Sequence, residues 1–229
     1  MIDRYDRVAR VYPAILSSLP LLLLNYFLLR LHLGPLLDDF AKAKWPGGIA
    51  ITVVAMYLLA QAARIVGKEL FEDTVFENET RMPTTELLLH GNSGLSAEHR
   101  AQIHVRLAHD FDLHPFGPDR ERLDELGARR ILVDCVRQMR RKVGNGRLLL
   151  KHNSEYGFIR NLAGGALLAS VISLVDLALF GSVWPNTLAY SLSLALAVSY
   201  VIVMASARPL MRRLGHRYAL VLMQEYLGT

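Results

Sequence analysis

The run "NLAGGALLASVISLVDLALFGSVWPNTLAYSLSLALAVSYVIVMASA", residues 161–207, is forty-seven residues long and holds one charged side chain, Asp176. A soluble surface helix needs a polar face, and this run has none. Its midpoint, Trp184-Pro185-Asn186, is a turn signal, so the run divides into two stretches of about 21 residues. Each matches the roughly 20 residues that cross a hydrocarbon core about 30 Å thick. The pattern predicts a membrane hairpin with spans near 163–183 and 186–206.

Toward the N-terminus the same signal recurs twice. Residues 11–29 and 45–63 are each nineteen residues without a charge, which predicts spans near 11–30 and 46–66. A signal peptide is the alternative for the first block, because Arg4, Arg7 and Arg10 resemble a basic n-region. The length of the block and the "HLGPLLDDF" that follows it favour a span. The expected fold is an all-α integral membrane protein with four transmembrane helices as two hairpins, 1–66 and 163–207. These flank a mainly helical cytoplasmic domain, 67–162, and a basic cytoplasmic tail follows, 208–229.

Basic flanks orient the spans. Arg4, Arg7 and Arg10 precede the first; Arg64, Lys68, Lys151 and Arg160 border the middle segment; Arg208, Arg212, Arg213 and Arg217 follow the last. The turn at Trp184 carries no charge, and the loop after the first span sets Arg30, Lys42 and Lys44 against Asp38 and Asp39. Both termini and the middle segment are therefore expected in the cytoplasm. Residues 67–162 contain fifteen Lys/Arg and fifteen Asp/Glu, so the net +5 resides in the flanks and speaks for anionic lipid rather than nucleic acid. The single cysteine, Cys135, excludes an internal disulfide.

Within the middle segment, "IVGKELFEDTVFENE" continues the second span as helix until "TRMPTTELLLHGNSG", where Pro83 disfavours helical geometry at Met82. Ser96 is the expected N-cap of "AEHRAQIHVRLAHDF", with Ile103, Leu107 and Phe111 facing a core. A second, longer helix is expected over "DRERLDELGARRILVDCVRQMRRKV". Its buried stripe would be Leu123, Leu126, Ile131, Val133, Val136, Met139 and Val143. "ELLLH" and "GRLLLKH" are the only stretches with any strand character.

No chemical motif dominates. His99, His104, His109 and His114 recur every five residues, a step of about 140° that spreads the rings around a helix. A metal pair needs a spacing of three or four, so only His109, Asp110, Asp112 and His114 in "HDFDLH" offer a cation loop, and no metal or cofactor is expected. Arg147 and His152 resemble the Arg-x4-His motif of HEPN ribonucleases, in which the pair works on the RNA 2′-hydroxyl. Leu148 stands where that family has a polar residue. There is no GxSxG, Walker A or GxGxxG, and no catalytic residue is assigned.

Arg137, Arg140, Arg141 and Arg147 form a basic run suited to an anionic ligand or lipid. Asp176 lies thirteen residues into its span, roughly 20 Å deep, where a carboxyl costs about 2.5–3.5 kcal/mol unless a partner or water meets it. Asn25 and Gln61 are the other strongly polar groups within spans. Gly164, Gly165 and Ala169, and Ser191, Ala195 and Ser199, form small-residue stripes that allow close helix approach within the chain or between copies.

"KHNSEYGFIRNLAGG", residues 151–165, leads into the third span. Lys151 and Arg160 satisfy the positive-inside rule and Tyr156 sits at interfacial depth, which leaves Asn153, Glu155 and Asn161 to bond across a joint, with Arg81, Thr84, Thr85 and Glu86 of "RMPTTE" opposite. "RMPTTELLL" and "HNSEYGFIRNLAGG" look like paired signatures of small bacterial membrane proteins. The whole plan is similar to the four-span membrane component of Kiwa-type anti-phage defence systems. The resemblance implies a bacterial inner membrane and a sensor or membrane-perturbing effector, and carries no catalytic residue. The resulting reading is an oligomeric, non-enzymatic sensor or effector that binds the bilayer, further copies of itself, and a cytoplasmic protein or small molecule. The alternative is a membrane-surface enzyme using Glu86, His90, His152, Asn153, Glu155 and Arg160 on a lipid or nucleotide. A transporter with Asp176 as coupling carboxylate would need inverted repeats, and the hairpins share no visible similarity.

Overall fold

The computed structural model describes residues 4–29, 47–144 and 146–228. In chain order the helices are α1 (Arg4–Asp6), α2 (Tyr12–Ser17), α3 (Leu19–Leu24), α4 (Gly47–Val66), α5 (Asp73–Phe76), α6 (Pro83–Glu86), α7 (Ala97–Phe111), α8 (Pro118–Leu123), α9 (Glu125–Val143), α10 (Arg147–Ala178) and α11 (Thr187–Gly228). Wider π-turns occupy Arg7–Val11, Asn25–Leu29, Gly67–Glu72 and Leu179–Val183. No strand occurs among the described residues: "ELLLH" is a turn, and Leu148 to Leu150 lie in α10.

Three helical stretches among the described residues are long and apolar enough to cross a bilayer, Arg7–Phe27, Leu148–Val183 and Thr187–Gly228. The expectation of four spans as two hairpins is thereby corrected to one stretch near the N-terminus and two near the C-terminus. The expected second span is present as the 20-residue helix α4 but is not one of the three. Most side chains of its first half lie outside the described residues, as does the loop carrying Arg30, Asp38, Asp39, Lys42 and Lys44. The last two stretches, of 36 and 42 residues, far exceed the roughly 20 that hydrocarbon requires, so each runs on beyond it.

The chain divides into two compact units, residues 1–71 with 157–208, and residues 72–156 with 209–229. In the first, helices meet where side chains are smallest. A Cβ added at Gly164 would strike the backbone of Ala63 and Gly67, and one at Gly67 would strike the carbonyl of Arg160. Gly165 is equally crowded by Ser17. These glycines therefore serve packing within the chain, which is a different basis for the first unit from two separate hairpins. Ala166, Ala169 and Tyr200 form a buried cluster of α10 and α11, and the Tyr200 hydroxyl donates to the Leu16 carbonyl at 2.7 Å.

The second unit is a helical domain whose core holds Leu88, Ile103, Leu107, Leu132, Cys135, Val136, Met139 and Leu149. Leu222, Met223 and Tyr226 belong to the same core. The stretch expected as a basic cytoplasmic tail, 208–229, is thus a continuation of α11 as far as Gly228, and from Pro209 on it belongs to this unit. Ser96 caps α7 as expected, its hydroxyl accepting from the His99 amide at 3.2 Å, and Met82 is extended before Pro83 (ψ 144°). The helix expected from Asp119 onward is broken at Asp124, which has non-helical geometry and caps α9 by accepting from the Gly127 amide at 2.8 Å. The break changes the helical phase. Leu123 and Leu126 face solvent, 89% and 54% exposed, while Ala128, Leu132 and Cys135 join the core.

Candidate functional site

Three consecutive non-glycine residues, Glu77, Asn78 and Glu79, hold left-handed backbone with φ of 46°, 54° and 73°. Each costs roughly 1 kcal/mol or more, so the turn persists only if its surroundings fix it. Two of the sequence-predicted residues contribute, Thr85 directly and Glu86 through Arg129. The Thr85 hydroxyl donates to the Glu79 carbonyl at 3.0 Å, and Arg129, oriented by Glu86 at 2.6 Å and Glu125 at 2.7 Å, donates to the Thr80 carbonyl at 2.9 Å. Burial alone would lower the Arg129 pKa; the two carboxylates outweigh it and raise it instead. The Arg81 guanidinium pairs with Glu77 at 2.9 Å.

A second polar hub ties down the following loop. The buried Arg100 guanidinium donates to the carbonyls of Leu87, His90, Asn92 and Leu95. The Glu121 carboxylate accepts from the His90 amide at 2.9 Å, and His90 and His104 meet edge to face at 5.1 Å. Burial and then the neighbouring His90 hold the His104 imidazole down at about 4, so it is neutral and donates to the Leu88 carbonyl at 3.0 Å. These histidines are structural fasteners of residues 87–95.

The two stretches singled out for their resemblance meet on α11. A Cβ at Gly215 would stand 3.3 Å from Pro83 and 3.7 Å from Tyr156, so "RMPTTE" and "HNSEY" pack around one glycine that the sequence reading overlooked. Thr84 is buried, and neither its hydroxyl nor the Arg140 Nε of α9 has a hydrogen-bond partner among the described residues. Arg140 instead lies over the Tyr218 ring, 5.7 Å from its centre, and approaches the Met82 sulfur at 3.7 Å.

The remaining predicted residues disperse. His152 and Glu155 come together at 3.4 Å, one turn apart on α10, and the half-buried Asn153 side chain makes no hydrogen bond among the described residues. Asn161 is buried; its amide donates to the Ala9 carbonyl at 2.6 Å and its oxygen accepts from Arg160 at 3.2 Å. Arg137 pairs with Asp134 at 3.2 Å and Glu79 at 3.4 Å, Arg141 is exposed, and the Arg147 side chain lies outside the described residues. The "HDFDLH" loop does not close: Asp110 turns to Lys142 and to the Tyr226 hydroxyl, while Asp112 pairs with His114. Cys135 is buried and its thiol is pushed up to about 12 by burial and then by Asp134, which suits packing rather than nucleophilicity.

In the first unit, Asp176 is wholly buried and neither carboxyl oxygen has a hydrogen-bond partner. Ser173 and Ser193 are as deeply buried, yet their hydroxyl protons are committed to the carbonyls of Ala169 and Ala189, at 2.9 Å each. Asn25 is exposed and Gln61 half-buried, and neither bonds to Asp176. Among the described residues this carboxyl lies in an apolar run without a hydrogen-bond partner, the kind of position that marks function inside a membrane.

No family model matches the chain, and neither the curated proteins nor the solved structures provide a significant match.

Proposed function

We propose that this membrane protein is an oligomeric sensor or effector of a bacterial inner membrane, of the kind used in anti-phage defence, with its helical domain and both termini in the cytoplasm. The helical domain receives a protein or small-molecule signal, and the membrane helices respond by permeabilising the bilayer or recruiting a partner. The observation that carries this reading is that α10 and α11 are each single helices with residues in both units, so that a change in one unit is passed on without an intervening loop. Asp176 gives the membrane helices a latent polar group whose exposure to water would favour a conducting state.

The test is to induce the full chain in a bacterial host and follow membrane potential with a voltage-sensitive dye, at matched membrane abundance. Wild type is expected to depolarise the cells, and Asp176→Leu and Arg129→Ala to do so less. Identical behaviour of all three, or no loss of potential with any, rejects permeabilisation.

A further inference from the structure

The helical domain contains a cleft of about 380 Å³ lined by Phe76, Arg81, Leu87, Asn92, Arg212 and His216, together with Val75, Pro83 and Glu86. Its volume is within the roughly 300–1,000 Å³ of small-molecule sites. The floor is apolar: Val75, Phe76 and Leu87 are buried and present carbon to the opening. The rim is made of donors. Arg212 and His216 stand at i and i+4 on α11, hence on one face, and neither has an ion pair or hydrogen bond among the described residues.

The carboxylate that lines the cleft, Glu86, is already committed to Arg129 at 2.6 Å, and the Arg81 guanidinium that lines it is paired with Glu77 at 2.9 Å. Arg212 is left without a counter-charge among the described residues. Asn92 is fixed in a donating pose, because its side-chain oxygen accepts from the Gly94 amide at 2.7 Å and its carbonyl accepts from Arg100, so the amide NH₂ is left over. A guanidinium, an imidazole N–H and an amide beside a hydrocarbon floor fit an anion on an apolar body.

We infer that this cleft binds an anionic phospholipid, its phosphodiester held by Arg212, His216 and Asn92 and its glycerol and upper acyl carbons on Val75, Phe76 and Leu87. The position of the rim on α11 supports a lipid over a free phosphate. Arg212 is five residues past Ala207, the last of the uncharged run, so the chain itself keeps this cation within about 18 Å of the end of that run, within reach of headgroups. Unlike general attraction of a basic helix to an anionic surface, this site requires one face of α11.

Arg213 and Arg217, also spaced i and i+4, exposed and without an ion pair among the described residues, carry more formal charge but do not line the cleft, so they provide the control. The full chain in detergent is titrated with fluorescent short-chain phosphatidylglycerol and with phosphatidylcholine, and inorganic phosphate is added as competitor. The expected result is a preference for phosphatidylglycerol that falls on the order of tenfold in Arg212→Gln/His216→Gln and about twofold or less in Arg213→Gln/Arg217→Gln. Unchanged melting temperatures certify that both variants are folded. Equal losses in the two variants, or displacement by inorganic phosphate as effective as by lipid, overturns the site. Neither result depends on whether the membrane helices open a pore.

Discussion

Gly164→Ala tests the packing on which the first unit rests. A Cβ at this position would lie 2.8 Å from the Gly67 Cα and closer still to the Ala63 carbonyl oxygen and the Gly67 amide. Non-bonded carbons prefer about 3.5–4.0 Å, so the backbones must separate by about 1 Å. Because every obstructing atom is backbone, no side chain can rotate away. Overpacking of this kind costs about 1–3 kcal/mol, and the upper end applies here. Replacing a helical glycine by alanine returns about 1 kcal/mol of helix propensity, for a net loss of about 2 kcal/mol. At about 2–4 °C per kcal/mol for a chain of this size, the melting temperature should fall by about 4–8 °C. Gly215→Ala is the comparison: its Cβ would meet Pro83 at 3.3 Å and Tyr156 at 3.7 Å, side chains that can give by tenths of an ångström, so the two effects nearly cancel. The measurement is the fraction of full chain that stays monodisperse in detergent after heating. If Gly164→Ala melts at or above Gly215→Ala, the backbone crossing is not as described.

Two further outcomes follow from the helical domain. Arg129→Met leaves Glu86, Glu125 and the Thr80 carbonyl without their donor and frees the left-handed turn, so thermal unfolding of the domain should show a loss of about 2 kcal/mol; a change within error would mean the turn is held by other bonds. His104 adds an acid sensitivity. Its folded value of about 4 is below the ordinary 6.5, so the unfolded chain binds the proton first, and stability is complete above about pH 6.5 and lost as pH falls toward 4. His90, Arg100 and Glu121 are the charged or titratable neighbours that set this value. His104→Gln should flatten the decline in melting temperature between about pH 7 and 5, and parallel curves for the two chains would refute the assignment.

Some local features were legible because local physics decides them. Ser96 capped its helix and Pro83 forced Met82 into extended geometry, since each effect acts within three residues. Asp124 was missed for the opposite reason: a charged residue amid a helical pattern gives no sign that it will cap rather than continue, and one break displaced Leu123 and Leu126 from the core. Asn161 was recognised as a residue with something to bond, but its partner, the Ala9 carbonyl, is 152 residues away and invisible to any pattern.

The sequence by itself determined that apolar helices of membrane length border a charge-balanced helical segment, because hydrocarbon excludes charge and leaves a long uncharged run no other place. It also isolated Asp176, since one carboxyl in forty-seven residues is conspicuous. Only the tertiary structure decided that Gly67 and Gly164 share a crossing, that the end of α11 completes the core of the helical domain, and that Arg212 and His216 border a cleft with an apolar floor. Each of these is a meeting of residues far apart in the chain, and which residues meet is set by the packing of whole helices, a property no window of the sequence contains.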